Sequence, residues 1–213
     1  MTLFKSPPTF RIPGAVKYFA LLLTISLGSS CGTTLKTVTP IQADHPYKKI
    51  ALTVIDTHDE LRDFSKQSFD SIVNPVFNNL KDMPERTVLE DKFAGKLSSS
   101  ETSIIKSADV FKIHENISYA DYLNRLRNSG AEAVLIISLN THRAIIHDSN
   151  NTVTGSNPSY SILYYLVDLT SAQQVWLGND RVVFPVENVS AGDVNRALYK
   201  AGFISKPEKS KIE

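Results

Sequence analysis

Cysteine is nearly absent from this chain. Cys31 stands alone among 213 residues, which excludes an internal disulfide and any metal site built on several thiolates. Glycine is scarce too, at nine residues, and no glycine-rich phosphate cradle is present. The G-x-S-x-G string of a nucleophile elbow is missing, so that route to a serine hydrolase is closed. The apolar run at residues 18–27 covers about ten positions, well short of the roughly 20 that a membrane-spanning helix needs. Neither sign of charge dominates, since 23 Lys+Arg against 22 Asp+Glu give a formal net charge of +1. A strong binder of the phosphate backbone needs a basic face, so nucleic acid is not expected as a partner. Hydrophobic residues make up 42% and charged residues 21%, which excludes a mainly disordered chain and suits one globular domain.

The charge that exists is unevenly placed. Lys5, Arg11, Lys17 and Lys36 all precede the first acidic residue, Asp44. Three of them lie in or before residues 18–27 (YFALLLTISL), and the small residues Gly28, Ser29 and Ser30 follow. A positive start, a short apolar run and small residues predict a signal peptide. Directly behind comes Cys31. The string Leu27-Gly28-Ser29-Ser30-Cys31 resembles a bacterial lipoprotein signal, although Gly28 stands where that family usually has leucine. The resemblance implies cleavage before Cys31 and lipidation of its thiol. Such a cut removes Lys5, Arg11 and Lys17, leaves 20 basic against 22 acidic residues and makes the mature net charge −2. Gly32 follows the cysteine where aspartate does not, which by the same resemblance implies the outer membrane of the cell envelope, with the domain in the periplasm.

The expected organisation is a signal peptide at 1–30, a lipidated cysteine and flexible tether at 31–46, one domain at 47–206 and a disordered tail at 207–213. The tether is rich in threonine and holds Pro40 and Pro46, without strand or helix periodicity. The domain opens with a β-rich run at 49–56, and Thr57 with Glu60 forms a T-x-x-E pattern that predicts a helix start. Residues 86–90 (RTVLE) predict a short strand, as do residues 110–113. Ser118 with Asp121 predicts the helix 119–129, stopped by Gly130. The apolar strand 133–139 follows at once. A strand at 142–146, a polar loop at 147–158 and strands at 160–168 and 174–177, with a further piece at 181–184, are expected next. Ser190 with Asp193 predicts a last helix, ended by Gly202. This order predicts an α/β (α+β) fold, a mixed sheet with a βαβ start, antiparallel hairpin strands and helices packed on the sheet.

Three stretches carry a further resemblance. They are Lys49-Ile50-Ala51-Leu52 at the first strand, Gly130-Ala131-Glu132-Ala133-Val134-Leu135 after the middle helix, and Asp168, Ser171, Ala172, Val175 and Trp176 around a turn. The pattern is similar to the small domain shared by the amino-terminal part of TolB, the curli secretion lipoprotein and the lipoprotein activators of penicillin-binding proteins. It departs at Ala172, where that group favours glycine. The resemblance implies a lipid-tethered, non-enzymatic domain that works without a cofactor, as a scaffold, assembly or regulatory factor. Its partner would be another envelope protein or a second copy of itself.

Two sets of residues are candidates for recognition. Tyr160, Tyr164, Tyr165 and Trp176 lie on the hairpin strands, and an exposed aromatic ridge there would suit a protein interface. Tyr164 and Tyr165 are adjacent and so point to opposite faces of a strand. Asp56 and His58 sit where the first strand ends, the place where α/β folds hold ligands. They define the alternative function, a periplasmic lipoprotein that binds a small ligand. The five histidines form no H-x-x-x-H pair, and no metal site is expected.

Overall fold

The computed structural model describes residues 35–38, 41, 45–57, 61–77, 79, 83–113, 115–183 and 189–206, and for 83, 85, 141–147, 156–160 and 181–183 it describes the backbone. The expected signal peptide, Cys31, the stretch 58–60 and the expected tail 207–213 lie outside these residues.

A strand covered on both faces has no need for polar alternation. Lys49–Asp56 (β2) meets that condition, with Ile50, Ala51, Leu52, Thr53, Val54 and Ile55 all buried. Its one buried hydroxyl, Thr53 Oγ1, lies 2.9 Å from the hydroxyl of Tyr122. Around β2 the chain builds a six-stranded sheet. The other strands are β1 (Lys36–Val38), β3 (Ser103–Lys106), β4 (Ala133–His147), β5 (Val153–Asp168) and β6 (Gln173–Val183). Their order across the sheet is β1-β6-β5-β4-β2-β3. β3 and β4 flank β2 and run parallel to it, whereas β4, β5, β6 and β1 are successively antiparallel. The sheet is thus mixed, with a crossover start followed by a meander.

Four helices cover the sheet. The first, α1, is a chain of short pieces: α-helical Lys66–Ser68, π-helical Phe69–Val73 and α-helical Asn74–Val76. The others are α2 (Met83–Leu97), α3 (Tyr119–Asn128) and α4 (Ala191–Lys200). Leu89, Phe93 and Leu97 of α2 and Ala191, Val194 and Leu198 of α4 pack in one core with Ile50, Leu52, Leu135, Tyr164 and Trp176. Phe69 and Val73 of α1 and Tyr122, Leu123 and Leu126 of α3 pack on the opposite face with Ala51, Val134, Ile136 and Tyr165.

Two of the predicted helix starts have the expected chemistry. The Ser118 hydroxyl accepts from the Asp121 amide at 3.1 Å, and the Ser190 hydroxyl accepts from the Asp193 amide at 3.2 Å. Behind α3 and α4, Gly130 and Gly202 adopt φ of +84° and +82°, a conformation that glycine reaches without a Cβ clash.

Four expectations are corrected. Residues 86–90 lie within α2, because Leu89, Phe93 and Leu97 at a spacing of four form a helical stripe against the core. The edge strand is Ser103–Lys106, while residues 110–113 follow a 3-10 turn, Ser107–Asp109, without forming a strand. The tether is partly folded, since Lys36, Thr37 and Val38 pair with Asn179, Gly178 and Leu177. The polar loop at 147–158 is mostly strand: β4 and β5 remain paired out to His147 and Val153, around a turn at 148–152. The T-x-x-E start falls partly on 58–60, outside the described residues, and the part that is described is Thr57. Its amide donates to the Leu139 carbonyl at 2.8 Å and its hydroxyl lies 3.2 Å from that of Ser138. The first described helix start falls at Ser65, whose hydroxyl accepts from the Ser68 amide while the Ser68 hydroxyl accepts from the Ser65 amide.

Candidate functional site

Asp56 closes β2 opposite Leu139 of β4 and is half-buried. Thr57 behind it is clamped to β4, so the chain leaves the sheet only after Thr57. His58, the other residue predicted at this place, lies outside the described residues. The chain returns at the fully buried Leu61, whose carbonyl accepts from the Tyr165 hydroxyl. Two open hollows mark this side of the described surface. One of about 330 Å³ is lined by Arg62, Asp63, Ser65, Gln67, Ser68 and Ser71. The other, about 300 Å³, is lined by Asn74, Pro75, Phe77, Asn79, Glu115 and Asn116. Neither is lined by Asp56. Among the described residues there is no group of three or more His, Cys, Asp or Glu that could hold a metal ion.

The aromatic ridge is corrected more sharply. Tyr164, Tyr165 and Trp176 each have 0% exposure, so these three do not form an exposed surface. Tyr164 and Tyr165 do point to opposite faces, as adjacent strand residues must. Helices cover both faces, and each ring therefore enters a core. The two hydroxyls fare differently. That of Tyr165 bonds the Leu61 carbonyl, whereas that of Tyr164 is buried with no hydrogen-bond partner. Burial, with Asp180 and Asp193 nearby, pushes the Tyr164 hydroxyl well above its ordinary pKa. Trp176 lies flat along β6 over Gly178, where an added Cβ would come within 2.6 Å of its ring. Tyr160 is in β5 opposite Thr141 and Val182, with its side chain outside the description.

A buried polar cluster went unread in the sequence. β3 pairs with β2 only as far as Leu52 opposite Lys106, which leaves the edge of β2 beyond that point without a strand. Glu90 of α2 lies at this gap: its carboxylate accepts from the Ser107 hydroxyl at 2.6 Å, with the Val54 amide near enough to favour its charge. Arg86, one helical turn earlier, places Nε 3.8 Å from Glu90 Oε1. Glu90 is 1% exposed and Arg86 4%. Burial pushes the Glu90 carboxyl above its usual range, against the opposing pull of Ser107, Arg86, Lys106 and the Val54 amide. The spacing of four between Arg86 and Glu90 was the available signal, and it is meaningful only once that segment is known to be helical.

The acid of the turn between β5 and β6 is also engaged. Asp168 accepts from the Tyr47 hydroxyl at 3.0 Å, and from the Ser171 amide and hydroxyl at 2.7 and 2.8 Å. Burial works against its charge, but the Ser171 and Tyr47 bonds outweigh it and hold the carboxyl below its ordinary value. The D-x-x-S string thus closes a turn and ties it to the start of β2, and these contacts give it a structural role. Ala172, the position where the resembled group favours glycine, has φ of +56°. That is the left-handed region, which explains the preference.

No family model matches the chain, and no curated protein matches it. Among solved structures it is similar to the PelC dodecamer from Paraburkholderia phytofirmans, at 10% identity and a TM-score of 0.43, over 82% of this chain and 100% of that one. It is similar to lipoprotein GNA1162 from Neisseria meningitidis, at 15% identity and a TM-score of 0.40, over 71% and 95%. TolB from Acinetobacter baumannii is a further neighbour, at 12% identity and a TM-score of 0.36, over 80% of this chain and 31% of TolB. TolB belongs to the group that residues 49–52, 130–135 and 168–176 resemble.

Proposed function

We propose that this chain is a lipid-anchored protein of the cell envelope that acts by contact with another envelope protein or a second copy of itself, and not by catalysis. One observation carries the reading: Cys31 follows Gly28, Ser29 and Ser30 behind a short apolar run, and β1, the first described strand, opens only five residues later. An acylated cysteine there would hold the whole sheet beside a membrane. Two described acids support a structural use of charge, since buried Glu90 sits at a strand edge and half-buried Asp168 closes a turn. Recognition then falls to the surface, where Val88 of α2 and Tyr199 of α4 are 44% and 42% exposed on the helices of one face.

The test is photo-crosslinking in cells of the full-length protein, with the probe at position 88 or 199, beside a Cys31→Ala version. The reading expects a lipid-bearing Cys31 at the mature amino terminus and a discrete adduct with one envelope protein or with a second copy. It also expects that adduct, and membrane fractionation, to be lost with Cys31→Ala. An intact amino terminus overturns the anchor, and a lipid-bearing protein that stays monomeric and free of adducts overturns the contact role.

A further inference from the structure

The end of the sheet at which β1 begins is also the end from which the β4–β5 hairpin projects. β1 runs antiparallel to β6, with Lys36 opposite Asn179 and Val38 opposite Leu177. The amino-terminal end of β1 therefore points along β6 towards Val183, and Leu35 still packs on the core. Level with Asn179 stands Leu163, and from there β5 extends the same way back to Val153. That is ten residues, or about 33 Å at a strand rise of about 3.3 Å. Cys31 is five residues upstream of Lys36 and can lie at most about 18 Å from it. The hairpin thus outreaches the anchor by about 15 Å along the strand direction.

The geometry points to a second membrane contact: the arm formed by residues 140–161 rests on the phospholipid headgroup surface that holds Cys31. The inference depends on the lipid-anchoring reading and extends it from an attachment to an orientation. The arm suits a headgroup surface. Its two strands pair with each other from Asn140 opposite Ser161 to Ile146 opposite Gly155, so its inner backbone groups need no solvent partner. The tip is braced, because Asp148 Oδ1 accepts from the amides of Asn150 and Thr152 at 2.8 and 2.9 Å. Asp148 and Arg143 are the only formally charged residues among 140–161 and cancel each other, so the arm carries no net charge that a headgroup surface would repel. Val153, beside the tip, is 61% exposed. A polar tip with one open valine fits the interface, not the acyl interior.

The experiment uses the full-length lipidated protein in vesicles of phosphatidylethanolamine and phosphatidylglycerol that carry a headgroup quencher. A fluorophore is attached at Asn150→Cys or at Ser100→Cys. Ser100 is exposed and precedes β3, whose first residue pairs with the first residue of β2 at the opposite end of the sheet. The expected result is quenching severalfold stronger at position 150 than at position 100. Equal quenching overturns the arm contact, as does absence of quenching at both positions in protein that floats with the vesicles and carries lipid at Cys31. The second outcome leaves the anchor standing. Protein without lipid at Cys31 that does not float overturns the anchor reading and the arm contact together.

Discussion

On one side of the sheet, α2 and α4 are regular helices of 15 and 10 residues. They press mostly aliphatic side chains, with Phe93, onto Leu52, Leu135, Leu166 and Trp176. On the other side only α3 is regular, and the space beside it is filled by short helical pieces and turns. There Tyr122 lies at the hub of an aromatic cluster, with ring centroids 5.0 Å from Phe69, 5.2 Å from Phe111, 5.5 Å from Phe77 and 6.0 Å from Phe64. Helices with an i, i+4 stripe bring matching ridges to the sheet and can be packed with leucine. Irregular segments present no ridge, so large flat rings from several separate pieces must meet in the middle. The side with less secondary structure therefore concentrates more of its packing in single residues.

On this contrast Tyr122→Ala is the most damaging truncation in the molecule, with a stability loss of about 4 kcal/mol in urea unfolding. A loss no greater than that of Val194→Ala, on the regular side, would end the distinction. The regular side should instead be most sensitive to added volume. Gly178→Ala drives a methyl into the Trp176 ring and should cost about 2 kcal/mol. Trp176 is the only tryptophan, so its emission should shift as its ring is displaced. The two neighbouring tyrosines sharpen the comparison further. Tyr165→Phe strands a buried carbonyl on the irregular side and should cost about 1–2 kcal/mol, while Tyr164→Phe removes a hydroxyl that has no partner and should cost about nothing. Equal losses in the two variants would show that the hydroxyl bond to Leu61 does not matter.

Acidity separates the sides in a smaller way. The folded pKa of Glu90 lies above the ordinary 4.5, so the protonated acid suits the fold better than the carboxylate. That stabilisation is fully present below about pH 4.5 and is lost as pH rises through the folded value. Unfolding midpoints should therefore decline over that window, and Glu90→Gln should flatten the decline; an unchanged slope would remove Glu90 as its source. The smallest effect belongs to the turn at Ala172, which packs against the irregular core. Ala172→Gly relieves a left-handed alanine and should gain about 0.5 kcal/mol by thermal unfolding, the relief being partly offset by a freer unfolded chain.

The regular parts were legible in sequence for a physical reason. Ser118 with Asp121, and Ser190 with Asp193, are local capping chemistry, and Gly130 and Gly202 are local stop signals. The start of β4 was legible because burial on both faces leaves an unbroken apolar run. The misreadings share the opposite cause. β1 is a three-residue edge strand that exists through its pairing with β6, and no local pattern announces it. The outer half of the hairpin is polar, so it read as a loop. In α2, the adjacent Thr87 and Val88 suggested a strand, while the leucine and phenylalanine spacing that decides the matter runs past residue 90. The aromatic ridge failed because the pleat tells which residues share a face but not which faces are covered. Glu90 at the strand edge was unreadable, since the gap where it lies is created by where β3 happens to end.

The pairing of β1 with β6 also sets an order of events. Translation releases the chain amino terminus first, yet Lys36 finds its partner at Asn179, 143 positions later. No part of this strand can settle until nearly the whole domain has been made. Contacts that span so much chain are slow to form, and until they form the outer edge of β6 is bare and able to pair with strangers. The strand that comes first in the chain is thus among the last to find its place, and the sheet is complete only when both ends of the domain have been made.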